Sequence, residues 1–151
     1  MIQVNYNIEE RGWKENFPHF KKYIGKSVNE TLKQMDKKID EDVVVSIFLT
    51  SNKKIKKLNH QYRNENKPTN VLSFPMQSYS DGIYQLGDIV LSNQALLKES
   101  IEQKITKYDY LCKMTIHGML HLLGYDHNTE KQFKQMNKFE NIIFDNIKDL
   151  S

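Results

Sequence analysis

Three of the five histidines fall inside one run of eleven residues, HGMLHLLGYDH, at positions 117, 121 and 127. His117 and His121 are four apart, so on a helix both imidazoles leave the same face one turn apart, near enough to share an ion. Gly124 adopts the left-handed backbone of a helix C-terminus without steric cost, and the chain can then turn back to bring His127 to that ion. Three neutral nitrogens with a fourth position open to water describe a catalytic zinc site, one Zn2+ per chain, rather than a closed structural one. The single cysteine, Cys112, excludes a thiolate cage and an intrachain disulfide, which points to a reducing, cytoplasmic setting. It lies five residues before His117, faces elsewhere on the helix and is assigned to packing.

The spacing H-x-x-x-H-x-x-G-x-x-H is that of the metzincin peptidases, which carry a glutamate general base directly after the first histidine. Here that position is Gly118, which can neither take a proton from water nor give one to a leaving amine. A peptidase is therefore the second reading. Asp126 is either a partner for the site or a residue that fixes the turn. A third reading is a non-catalytic module in which the metal only holds the C-terminal helices together.

The elements that must position these groups follow from periodicity. IQVNYNI near the N-terminus alternates as a strand, and DVVVSIFLT at 42–50 is apolar enough for a strand covered on both faces. Apolar positions between 14 and 38 predict one helix, with Pro18 near its start and Gly25 weakening its middle. Ser51 caps a helix that ends near Arg63. Pro68 favours an extended chain before a strand VLSF at 71–74, which Pro75 stops. QSYSDGIYQ reads as a turn or hairpin connection, and GDIVLS at 87–92 as a further strand. Ser92 caps a helix to about Gln103, and Thr106 with Asp109 forms a capping box for the histidine-bearing helix. Thr129 with Gln132 caps the last helix, whose apolar stripe is Phe133, Met136, Phe139, Ile143, Phe144 and Ile147. Strands early and helices late give one domain over residues 1–151, α/β or α+β, with a small mixed sheet of about four strands covered by helices. The metal site sits on a C-terminal helix and the turn after it.

At 151 residues, 38% apolar and 27% charged, the chain suits a single globular domain and no disordered or collagen-like class. Its longest apolar runs fall short of the roughly 18–20 residues of a membrane helix, and no export signal is expected at the N-terminus. The formal charge is only +3, but Lys53, Lys54, Lys56, Lys57, Arg63 and Lys67 stand against a single Glu65 between residues 53 and 67. That segment is a candidate polyanion patch or else a solvated helix face.

With the run HGMLHLLGYDH, the stretch NHQYRNENKPTNVLSFP at 59–75 and LGDIVLS at 86–92, the sequence resembles the YbeY family of bacterial rRNA-maturation endoribonucleases. The resemblance implies a zincin-like α+β fold with His117, His121 and His127 as zinc ligands and Arg63 as the functionally important arginine. It also implies cleavage of single-stranded ribosomal RNA, notably at the 3′ end of the small-subunit RNA, and a part in ribosome quality control. Expected partners are ribosomal RNA, the small ribosomal subunit and ribosome-assembly proteins, with no membrane. The family pattern usually reads TDVLSF, whereas Asn70 here keeps the acceptor oxygen and loses the charge.

On this reading Arg63, always protonated, can bond two phosphate oxygens at once. Lys53, Lys54, Lys56, Lys57 and Lys67 guide the backbone without reading sequence. Tyr62, Phe74 and Tyr79 are candidate stacking platforms or core residues. Thr69, Ser73 and Asp88 are candidates to line the cleft, Asp88 alternatively capping a strand. His60, near Arg63, is a further titratable group or merely exposed.

Overall fold

The computed structural model describes residues 2–35, 42–67 and 69–148. Elements follow in the order β1 (Ile2–Ile8), α1 (Gly12–Asn16), α2 (Phe20–Gln34), β2 (Asp42–Thr50), α3 (Asn52–Arg63), β3 (Val71–Ser80), β4 (Ile83–Ser92), α4 (Asn93–Glu102), α5 (Lys107–Leu122) and α6 (Glu130–Ile147). The sheet order is β1-β2-β4-β3, with β1, β2 and β4 parallel and β3 antiparallel to β4 at one edge. This is the expected mixed α+β architecture.

Period-two alternation sorts the strand residues between two cores. Val45, Ile47, Leu49, Val71, Ile89 and Leu91 join the larger one, with residues of α2, α4 and α5. Phe48, Leu72, Phe74 and Val90 meet Ile55 and Leu58 of α3 on the opposite face. The N-terminal segment is tied in by Trp13, whose buried Nε1 donates to the Thr50 carbonyl at 2.9 Å. Helix α5 is apolar on two sides: Met119 and Leu122 face the main core, while Cys112, Ile116 and Leu120 pack with Met136, Ile143 and Ile147 of α6. A helix apolar nearly all round belongs between layers. The metal-site helix is thus gripped from both sides.

Several local expectations need correction. The helix expected from 14 to 38 breaks at Phe17–His19 into α1 and α2, because Pro18 cannot donate within a helix and blocks its neighbour from helical backbone; its expected end at 36–38 lies outside the described residues, as does Pro68. Pro75 does not stop β3, which runs on to Ser80. At a sheet edge the missing N–H breaks no essential ladder. Just after it Met76 and Gln77 bulge opposite Leu86, and Asp81-Gly82, both at positive φ, close the hairpin as a two-residue turn. Thr106 accepts from the Asp109 amide, the N-terminal half of the expected box, whereas Thr129 and Gln132 form the full reciprocal box. Phe133, expected in the buried stripe of α6, is 57% exposed.

Candidate metal centre and active-site cleft

Helix α5 ends in a Schellman turn: the Gly124 amide donates to the His121 carbonyl and the Tyr125 amide to the Leu120 carbonyl, both at 3.0 Å, with Gly124 at φ +99°. Tyr125 closes the turn by packing against the Leu120 cluster. Asp126 then accepts from the His127 amide and from Asn128 Nδ2, each at 2.8 Å, so both carboxylate oxygens hold the turn that aims His127 back at the helix. Asp126 thus fixes the turn, and it also lines the cavity beside the three histidines.

The three imidazoles converge, each offering a nitrogen within 4.8 Å of the others. His117 Nε2 and His121 Nε2 are 3.1 Å apart. Bonds of about 2.0–2.1 Å to a tetrahedral ion ask for nitrogen separations of roughly 3.4 Å, close to that of this pair. The donor set, three imidazoles on a half-open face, fits a divalent transition metal. Burial, followed by the neighbouring His117 and His127, pushes His121 down to about 4, so it stands neutral and ready to ligate at neutral pH.

Glu140, on α6, was not anticipated. Its Oε1 lies 2.5 Å from His117 Nδ1, a bond that places the ring proton on Nδ1 and leaves the Nε2 lone pair for an ion. A signal for it existed: Glu140 stands four residues after Met136 and three before Ile143, a carboxylate on the buried side of an amphipathic helix.

A cavity of about 730 Å³ opens over the imidazoles and is walled on the far side by the end of α3 and the first half of β3. Arg63, Thr69 and Ser73 line it with the three histidines, as do Tyr62, Asn70 and Phe74. Arg63 is exposed at the last turn of α3, which Asn64 terminates in left-handed backbone at φ +56°. Asn59, buried beneath, donates to the Lys67 carbonyl at 2.9 Å and holds the following loop against the helix. Tyr62 and Phe74 meet edge to face at 5.2 Å on this wall, Tyr62 being 60% exposed. Ser73 donates to the Gly118 carbonyl at 3.1 Å and so ties β3 to α5.

Other candidates lie elsewhere. Lys53, Lys54, Lys56, Lys57 and Lys67 are exposed and none lines this cavity; Lys54 pairs with Glu9. Tyr79, against Tyr84, is on the distal part of the hairpin, and His60 is exposed on α3. Asp88 sits inside β4 rather than at its end and faces a second cavity with Phe48, Leu58 and Val90, where burial raises its carboxyl. Cys112 is buried between α5 and α6, in packing as expected.

Gly118 has a packing reason. A Cβ there would lie 3.1 Å from Ile89 Cγ2 and 3.1 Å from Ser73 Oγ, so the position is pressed against the sheet with little room for a longer side chain. Asn70 has one too: its amide donates to Glu99 at 3.0 Å, a bond an ionised aspartate could not make. The charge that Asn70 lacks is carried beside it by Glu99.

An α+β domain with a mixed four-strand sheet, and three histidines on α5 and its turn close enough to hold a metal ion, defines a zincin-like fold without the peptidase glutamate. The family model described as Endoribonuclease YbeY matches residues 7–148. An Endoribonuclease YbeY from Bartonella bacilliformis is 35% identical over 97% of this chain and 94% of its own length, and one from Pelagibacter ubique is 41% identical over 87% and 78%. The solution structure of TM1509 from Thermotoga maritima superposes with a TM-score of 0.58 at 27% identity, covering 98% of this chain and 92% of that one. The chain belongs to the Endoribonuclease YbeY family.

Proposed function

We propose that this protein is a zinc-dependent endoribonuclease that cuts single-stranded ribosomal RNA, notably at the 3′ end of the small-subunit RNA. The observation that carries this reading is the shared cleft: a permanently cationic arginine and three metal-competent imidazoles wall one cavity. The names of its relatives support the substrate class. His117, His121 and His127 would hold the ion, with Glu140 fixing the His117 ring. Such an ion supplies Lewis acidity, polarising a phosphoryl oxygen and acidifying water at neutral pH. Arg63 binds the non-bridging oxygens of the phosphate in a two-pronged contact and stabilises the charge that builds on them. Tyr62, beside Phe74, offers an exposed ring on which an unpaired base stacks, which favours single strands. Thr69 and Ser73 contribute hydroxyls to the same wall. The lysines of α3 and Lys67, outside the cleft, raise the local concentration of RNA without positioning it. Action on small-subunit particles, a part in ribosome quality control, contacts with assembly proteins and a cytoplasmic setting follow from the same reading. Among the described residues, no helix is long and apolar enough to cross a membrane.

The test is cleavage of a labelled single-stranded rRNA fragment, with metal content measured on every sample. Metal-loaded wild type should cut; metal-stripped protein and His121→Ala should not. Arg63→Ala should keep its metal and lose about 10²–10³ in rate. Wild type that holds one metal per chain yet cuts neither the fragment nor assembled small subunits would make the site structural. Peptide cleavage independent of Arg63 would revive the peptidase.

A further inference from the structure

Asn70 immediately precedes β3 on the wall of the cleft, and its side-chain amide is held from behind. Nδ2 lies 3.0 Å from Glu99 Oε2, 3.3 Å from the Tyr110 hydroxyl and 3.2 Å from Met114 Sδ. An ionised glutamate only accepts. The Tyr110 hydroxyl donates its own proton to the same Glu99 oxygen at 3.0 Å, which leaves a lone pair for Asn70. Burial above all pushes that phenol up to about 12, so it keeps its proton at any physiological pH. Turning the amide over would set its oxygen against a carboxylate, a phenol oxygen and a thioether. The orientation is therefore determined by its partners, which is the proper basis for assigning an amide. The backbone is fixed as well, since the Asn70 carbonyl accepts from the Ser92 amide at 3.2 Å.

This leaves Oδ1. Among the described residues no donor reaches it, while Asn70 lines the same cavity as Arg63 and the three histidines. A rigid, neutral acceptor that shares a cavity with an arginine proposed to bind phosphate matches a hydroxyl donor next to that phosphate. In a polynucleotide that donor is the ribose 2′-hydroxyl, the group that separates RNA from DNA.

We propose that Asn70 Oδ1 accepts a hydrogen bond from the 2′-hydroxyl of a nucleotide in the cleft, and that Glu99 and Tyr110 act as positioning residues that hold it there. This rests on the cleft being the RNA site. A site built to bond a hydroxyl discriminates against the analogue that lacks it, because its acceptor is then left without a partner. In a cleft open to water the expected discrimination is about tenfold.

The experiment is binding of zinc-loaded protein to a short labelled RNA and to its 2′-fluoro counterpart, which keeps the RNA-like sugar pucker but cannot donate. Measurements are made by anisotropy in the cold, with strand integrity checked afterwards. Wild type should hold the RNA about tenfold more tightly. Asn70→Ala should lower RNA affinity to the 2′-fluoro level, so that the ratio between strands falls to about one. Glu99→Gln, behind the cleft wall and not lining it, should reduce the ratio by unpinning the amide, and decides the matter if Asn70→Ala fails to fold. Equal binding of both strands by wild type, or an unchanged ratio in the folded variants, overturns the proposal. Cleavage is scored separately, on the RNA and on assembled small subunits: discrimination without turnover of either sinks the nuclease reading and leaves this one standing, whereas turnover without discrimination does the reverse.

Discussion

The two walls of the cleft are built in different ways. On the α5 wall every candidate ligand comes from eleven consecutive residues, held by one helix and its Schellman turn. The opposite wall draws on the end of α3, a loop and an edge strand. Its key contacts span long sequence separations: Ser73 to Gly118, Gln77 Nε2 to the Leu122 carbonyl at 3.1 Å, and Asn70 to Glu99. The difference suits their tasks. An ion tolerates little error in ligand geometry, so local rigidity serves it. A flexible strand can be gripped by groups that only tertiary packing brings together.

If α5 must lie against the sheet to face the second wall, a side chain at 118 should separate them. Gly118→Glu forces a carboxylate between Ile89 and Ser73 and should destabilise the fold by about 3–5 kcal/mol, read by thermal or denaturant unfolding. No peptidase activity should appear. A stable variant that cleaves peptides would erase the contrast with the metzincins.

Glu140 supports the histidine wall from another helix, through His117 Nδ1. Glu140→Ala should weaken metal affinity by about 10–100-fold, measured by competition with a chromogenic chelator. An unchanged affinity would show that Glu140 does not orient the His117 ring for an ion.

The histidine wall also responds to pH. His121 has its folded-state pKa lowered from 6.5 to about 4, so the unfolded chain binds more protons over that range. Its contribution to stability is fully present above about 6.5 and drains away as pH falls toward 4. Chelator-treated protein should therefore show a melting temperature that drops through this window, with a shallower drop in His121→Gln. A flat profile in wild type would contradict the buried, neutral imidazole.

The smallest effects belong to the lysines outside both walls. Lys56→Ala should reduce the slope of log affinity against log salt by about 0.7 and leave the cleavage position unchanged.

The same division explains what the sequence discloses. Wherever the determinant is local it is readable: the histidine triple, Gly124 at its turn, and the caps at Ser51, Ser92 and Thr129. Phe133 was misread because a helical stripe tells only which side faces inward, and the stripe outruns what it packs against near the N-terminus of α6. Pro75 misled because tolerance of a proline depends on whether its strand is at the edge, which sheet order decides. Lys53, Lys56 and Lys57 cluster in sequence yet miss the cleft, since α3 presents only its C-terminal end, with Tyr62 and Arg63, to that wall. The grip of Glu99 on Asn70 joins residues 29 apart on different elements, and no spacing rule reaches that far.

The most direct test of the account is a crystal structure of the zinc-loaded protein with a non-cleavable RNA dinucleotide. The phosphate should lie between the ion and Arg63, its oxygens about 2.7–2.9 Å from the guanidinium, with one metal on His117, His121 and His127. A phosphate seated instead along the lysines of α3, with Arg63 turned to solvent, would contradict it.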